Sequence, residues 1–203
     1  FIPAKEILSI KDIILEAKDD NRFGFEEPYS DLARALNRTQ KGKNFKSFSD
    51  ARQMVGDMVH GRLEFDDDKK EWQFRDNSRK VYEISMTSEG VKKLSILDLL
   101  LGNHYLDDKS IIIIDEIEAN LHPSLITRLL DTIQLLAQAG VQFFIASHSY
   151  FVIKRLYIMA HRADCSIPVL SFENGECVVG NLQHQMPQNP IIDESINLYK
   201  DEI

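Results

Sequence analysis

The spacing of hydrophobic and polar positions changes twice along the chain. Over the first sixty residues it is helical. Ile7, Ile10, Ile14 and Leu15 recur near a 3.6-residue period in KEILSIKDIILEAKDD, with Pro3 near a plausible helix start. Asn21-Arg22-Phe23-Gly24 interrupts that segment. DLARAL (31–36) and FSDARQMVGDMV (48–59) predict two further helices, joined across the polar TQKGKN stretch. No strand pattern is visible, so residues 1–60 read as a helical insert or arm. From Gly61 the period drops to two: RLEF, EWQF and KVYEIS alternate between the turn-forming DDDKK and DNS, which predicts a small antiparallel meander over 61–86. Trp72 and Phe74 fall on one face of it, and Lys69 and Lys70 beside three aspartates read as a solvated turn.

From Ser88 helix and strand patterns alternate. SEGVKKLSILDLLLGNHYL predicts an amphipathic helix, SIIIIDE a strand buried on both faces, and HPSLITRLLDTIQLLAQAG a long helix ending at Gly140. VQFFIAS predicts a second buried strand and YFVIKRLYIMAHRA another helix. SIPVLSF and ECVVGNL form a hairpin joined through Glu173-Asn174-Gly175. Continuous apolar strands alternating with helices predict an α/β fold, a parallel sheet flanked by helices and covered on both faces. Residues 87–203 carry this part, and 61–203 together read as one lobe.

Composition narrows the class. Lys and Arg number 24 against 32 Asp and Glu, a net charge of −8, which excludes a globally basic nucleic-acid binder but not a local basic patch. The 43% hydrophobic content argues against wholesale disorder. No apolar run approaches the roughly 20 residues that cross a bilayer, so no membrane association is expected. The opening FIPAKEILSIKD lacks the basic-then-apolar layout of a leader, and Phe1 in place of Met suggests a start inside a longer protein. Cys165 and Cys177 are too few for a disulfide scaffold and read as packed thiols in a reducing, cytoplasmic setting. His60, His104, His161 and His184 share no ligand spacing, so no metal cluster is expected among them.

Three segments carry candidate chemistry. In Ile111-Ile112-Ile113-Ile114-Asp115-Glu116 a β-branched strand delivers two acids to its carboxyl end, where open α/β sheets bind ligands. In phosphate chemistry the first acid holds Mg²⁺, usually through water, and the second orients or deprotonates the attacking water. The alternative is a strand ending in two solvated acids. Ser147-His148-Ser149 ends the VQFFIA strand, 33 residues beyond Asp115, a spacing that accommodates one helix and one strand. A right-handed crossover then makes the two strands parallel neighbours with both tips on one edge. There His148 can donate to a terminal phosphate or to water, or Ser149 can simply cap the next helix. Thr87-Ser88-Glu89-Gly90 opens a helix with a hydroxyl, a glycine and free N–H groups, an anion site or merely a cap.

Together these motifs resemble the carboxyl half of an ABC-type ATPase, closest to the AAA/ABC-like ATPases related to chromosome-maintenance, recombination-repair and phage-defence proteins. The resemblance implies a P-loop NTPase fold, with Ile111–Glu116 as the Walker B strand. Ile117–Pro123 then corresponds to the D-loop region, Ser147–Ser149 to the histidine switch and Thr87–Gly90 to the signature. It implies ATP and Mg²⁺ as cofactors, with Asp115 the metal ligand through water and Glu116 and His148 catalytic. Ser88 and Gly90 would serve the γ-phosphate of a second subunit, in a nucleotide-dependent homodimer. DNA or an effector protein would be a possible partner of the full-length protein. The sequence departs from that pattern at Glu89, which brings negative charge near phosphate. Lys92 and Lys93 either offset it or are ordinary surface lysines. His122 stands where many such proteins have an aspartate. No G-x-x-x-x-G-K-[ST] cradle occurs. Gly42-Lys43 is the only Gly-Lys pair, with Asn37 and Asn44 in place of the required glycine and hydroxyl. The cradle is therefore expected upstream of Phe1 and this chain alone is expected to be inactive. Two other classes stay open: a nonhydrolysing interaction module, and the regulatory ATPase part of a nuclease-linked defence or repair effector.

Overall fold

The computed structural model describes residues 1–5, 7–19, 25–37, 46–66, 68–69, 71–173 and 175–202. Two compact units divide the chain, residues 1–146 and 147–203.

In the first unit, helices α1 (Lys11–Asp19), α2 (Glu27–Leu36) and α3 (Lys46–Val59) precede a three-stranded antiparallel sheet. Its strands β1 (Gly61–Asp66), β2 (Glu71–Asp76) and β3 (Val81–Glu83) lie in sequence order, with Leu63 opposite Phe74 and Phe65 opposite Trp72. Trp72 and Phe74 do share a face: Phe74 is buried, and Trp72 meets Phe65 edge-on at 5.3 Å between ring centroids. KVYEIS is a strand only as far as Glu83, because Ile84–Met86 coil into a 3₁₀ turn.

Helix α4 (Glu89–Gly102) follows, then β4 (Ile111–Ile114), α5 (Pro123–Gln138) and β5 (Gln142–Ile145). The spacing predicts α4 as amphipathic, but it is buried nearly all round, including Lys92, Lys93, Ser95 and Gly102, because α3 packs on it as well as on α5. An ion pair from Arg52 Nε to Asp98 Oδ1 at 2.9 Å ties α3 to α4. Asn103, just past α4, donates to the carbonyl of Ala35 in α2 at 2.7 Å. Leu36, Val55, Leu94, Ile96, Leu101, Ile117, Leu130 and Leu136 are almost wholly removed from water and form the core of this unit.

β4 and β5 pair in parallel, Ile111 opposite Gln142 through Ile114 opposite Ile145, as the crossover argument requires. Ile2 adds a parallel bridge to Ile114. Pro3, buried next to it, therefore belongs to the sheet margin and not to a helix start; a 3₁₀ turn at Leu8–Ile10 leads into α1 instead. Within the first unit, the expected cover on both faces of this strand pair is found on one face only. Ile112 and Ile114 are buried, whereas Ile111 is 60% exposed, Ile113 47% and Phe144 52%. Strict alternation along the pleat separates the two sets, so the helices of this unit cover one face.

In the second unit, α6 (Tyr150–Arg162) packs with the hairpin of β6 (Pro168–Glu173) and β7 (Glu176–Asn181) and with α7 (Pro190–Asp201). Ile153, Ala160, Leu182 and Ile192 are its buried core. Asn189 caps α7, its side chain accepting from the Ile192 N–H at 3.1 Å. Cys165 is half-buried, while Cys177 on β7 is exposed and not the packed thiol expected of it. Among the described residues no helix is long and apolar enough to cross a membrane.

Candidate functional site

Asp115 and Glu116 leave the carboxyl end of β4 in a tight turn. The Asp115 N–H donates to the Ile2 carbonyl at 2.9 Å, and Ile2 N–H donates to Ile113 at 2.7 Å, so the start of the chain anchors the backbone at the first acid. Asp115 is half-buried and Glu116 exposed. Ile117, fully buried, pins the turn to the core directly after them. Two residues adopt the left-handed region, Glu116 at φ 43° and Asn120 at φ 61°. Non-glycine residues rarely adopt it, and such strain collects at functional turns. The turn closes through Ala119 N–H to Glu116 O at 2.8 Å and Leu121 N–H to Glu118 O at 3.1 Å.

The neighbouring helix start is built around this turn. Ser88 is the N-cap of α4, its exposed Oγ accepting from the Val91 N–H at 3.4 Å. Gly90 is buried because the Asn120 carbonyl lies against it: a Cβ there would fall 2.4 Å from that oxygen and 3.0 Å from Leu121 Cδ2. Thr87–Gly90 and the segment after Glu116 are thus in direct contact within one unit.

Neither Lys92 nor Lys93 is an ordinary surface lysine, since each is only 4% exposed. Lys92 Nζ donates to Glu89 Oε1 at 2.8 Å and to Ser9 Oγ at 3.2 Å, so the charge that Glu89 introduces is paired inside the helix's first turn. Lys93 Nζ donates to the backbone carbonyls of Glu116 at 2.6 Å and Asp115 at 3.3 Å. Burial pulls its pKa below the usual 10.5, opposed by the carboxylates of Glu118, Asp115 and Glu116. The sequence offered Lys93 only as a possible offset to Glu89, and Asn120 only as part of the Ile117–Pro123 stretch, and linked neither to this turn's backbone. The available signal was a Lys-Lys pair heading an otherwise apolar helix.

His122 has a plain structural task. It is the N-cap of α5, with Nδ1 accepting from the Ser124 N–H at 3.3 Å and lying 2.8 Å from Ser124 Oγ, ahead of Pro123 in the first turn.

β5 ends beside β4 at the same edge, with Ala146 N–H donating to the Ile114 carbonyl at 2.9 Å. Ser147-His148-Ser149 opens the second unit, where His148 is exposed and Ser149 is the N-cap position of α6 without a side-chain cap bond. Ser147 Oγ instead accepts from the Ser149 N–H at 3.1 Å. The first unit therefore brings Asp115, Glu116, Ser88 and Gly90 into one neighbourhood, while His148 belongs to the other unit. Gly42-Lys43 lies outside the described residues.

The donor set can be weighed against Mg²⁺. That ion keeps several waters and takes one or two carboxylates plus substrate phosphates. A single half-buried carboxylate at a strand end, Asp115, fits this demand, and no cluster of three or more metal-binding side chains occurs among the described residues. No G-x-x-x-x-G-K-[ST] string for cradling phosphates occurs in the sequence.

A parallel strand pair with helices packed on it and paired acids at a strand tip accords with an AAA-type ATPase domain. Residues 7–154 match the family described as "AAA domain, putative AbiEii toxin, Type IV TA system", and the chain belongs to that family. No curated protein matches it. Among solved structures, a chain from the structural biochemistry of ATP-driven dimerization and DNA-stimulated activation of SMC ATPases shares 16% identity, at a TM-score of 0.47, over 78% of this chain and 94% of its own. The SMC head domain from Thermotoga maritima shares 16% identity over 75% of this chain and 51% of its own, with a TM-score of 0.44. The Pyrococcus furiosus Smc head domain, with extended coiled coil and bound to the C-terminal domain of ScpA, shares 16% over 95% and 43%, also at 0.44. The chain spans about half the length of the latter two.

Proposed function

We propose that this chain is the carboxyl-terminal part of an ATP-hydrolysing ABC-like ATPase whose phosphate cradle is supplied from outside the sequence given. The observation that carries the reading is the Asp115-Glu116 turn at the carboxyl end of β4, held by Ile2 and Ile117, with Glu116 in a left-handed conformation that lifts its side chain into solvent. Asp115 would hold Mg²⁺ through water, and the ion, when bound, neutralises charge developing on the phosphates. Glu116 orients the attacking water and accepts its proton at a carboxylate oxygen. His148 contributes a hydrogen bond at the terminal phosphate. Ser88 and Gly90 serve the nucleotide of a neighbouring copy, giving a nucleotide-dependent homodimer that hydrolysis releases. The contact between Gly90 and Asn120 supports such coupling, since a helix start and a turn that touch must move together. Two unbridged cysteines fit a cytoplasmic setting.

The test is Glu116→Gln in the full-length protein. The amide keeps the shape but cannot take the proton, so turnover should fall by about 10²–10⁴-fold while ATP binding is retained. Turnover equal to wild type would remove Glu116 from the mechanism.

A further inference from the structure

The Glu116 side chain is exposed, and what sets its direction is the backbone beneath. The two peptide groups flanking Glu116 Cα both place their carbonyls on one buried ammonium, Lys93 Nζ, at 3.3 Å for Asp115 and 2.6 Å for Glu116. In extended backbone successive carbonyls point to opposite sides. The left-handed φ of 43° at Glu116 is what brings them round to the same side. An ion holding both fixes the two peptide planes, and with them the direction in which the Cα–Cβ bond leaves the turn. Lys92, equally buried, donates to the side chains of Glu89 and Ser9.

We propose that Lys93 is a positioning residue for Glu116: it clamps both carbonyls of the turn and so aims the carboxylate that activates water. This rests on the reading of Glu116 given above. Because Lys93 sits on the helix that Thr87–Gly90 begins, the clamp also makes the aim of Glu116 depend on the position of α4. An engaged neighbour at Ser88 and Gly90 would then be felt at the hydrolytic group of the same chain.

The experiment uses the full-length protein with Lys93→Met, Glu116→Gln and the double variant, all assayed for ATP affinity and for single-turnover hydrolysis at saturating ATP. A misplacement of about 1 Å costs on the order of 10²-fold in rate. Lys93→Met should therefore lose about that factor in the hydrolysis rate, with ATP affinity within about threefold of wild type. In the Glu116→Gln background it should cost nothing further, because the group it aims is already disabled. If Lys93→Met hydrolyses at the wild-type rate, or loses the same factor with and without Glu116, the positioning role is overturned. Should Lys93→Met fail to fold, Lys93→Leu, which likewise has no donor, decides by the same two criteria. Wild-type turnover by Glu116→Gln alone would overturn the parent reading and this inference with it. An impaired Glu116→Gln beside an unimpaired Lys93→Met would overturn the inference only.

Discussion

Replacing Gly90 by alanine should destabilise the fold, whereas the same change at Gly56 should stabilise it. Both glycines lie in helices, α4 and α3, so intrinsic propensity favours alanine at each by up to about 1 kcal/mol. The surroundings decide the sign. A Cβ at Gly56 meets nothing within 4 Å, so most of the propensity gain should be realised, roughly 0.5–1 kcal/mol. At Gly90 the new carbon would sit 2.4 Å from the Asn120 carbonyl oxygen, 0.6 Å inside the 3.0 Å that real Cβ atoms essentially never undercut (3.0 − 2.4). The obstacle is backbone, and Asn120 is already in the left-handed region with Leu121 tied back to Glu118, so the carbonyl has little freedom to turn away. Forcing a methyl into packed surroundings costs about 1–3 kcal/mol. Set against a propensity gain that is smaller in a first turn, the net loss should be about 1–2 kcal/mol, a five- to thirty-fold shift in the folded-to-unfolded ratio. The two variants should therefore differ by roughly 1.5–3 kcal/mol with opposite signs. Trp72, the single tryptophan, lies in the first unit and reports on it directly. Urea unfolding followed by its fluorescence gives the midpoint for each variant at fixed m. A Gly90→Ala midpoint at or above wild type would show that the turn yields freely, and that the contact between helix start and turn couples nothing.

Two further outcomes follow from individual contacts. Ser88→Arg in a Glu116→Gln background of the full-length protein should abolish the ATP-dependent dimer seen by sedimentation while each monomer still binds ATP; a dimer that persists would leave Ser88 only its cap, worth about 1 kcal/mol. Asp76 accepts hydrogen bonds from Ser78 Oγ, the Lys80 N–H and the Tyr82 hydroxyl, which hold its pKa below the usual 3.8, so the stability it adds is full above about pH 4 and drains away as pH falls through the folded-state value. Acid unfolding of Asp76→Asn should accordingly show a shallower loss below pH 4 than wild type, and identical slopes would contradict this.

How far the sequence reveals this architecture depends on whether the deciding partner is local. The parallel pairing of β4 with β5 was legible because two apolar runs with a helix between them leave few topologies, and the carboxyl-end acids followed from it. That one face of this strand pair stays exposed was not legible. Ile111, Ile113 and Phe144 are as apolar as their buried neighbours, and nothing in a run of isoleucines states whether the layer above it is present. α4 misled for the converse reason: its polar residues imply a solvated face, but Lys92, Lys93 and Asp98 are each paired inside the protein. The partners of Lys93 lie 22 and 23 positions away in the chain and are backbone carbonyls, which carry no residue identity for a pattern to detect. Nor does a glutamate announce a left-handed φ, since that conformation at Glu116 is imposed by the turn and by the ammonium beneath it. What the sequence did offer was the local inconsistency itself, two lysines heading a helix whose other residues demand burial. A charge that burial should have excluded must be held by something, and here the holder is the turn that carries the acids.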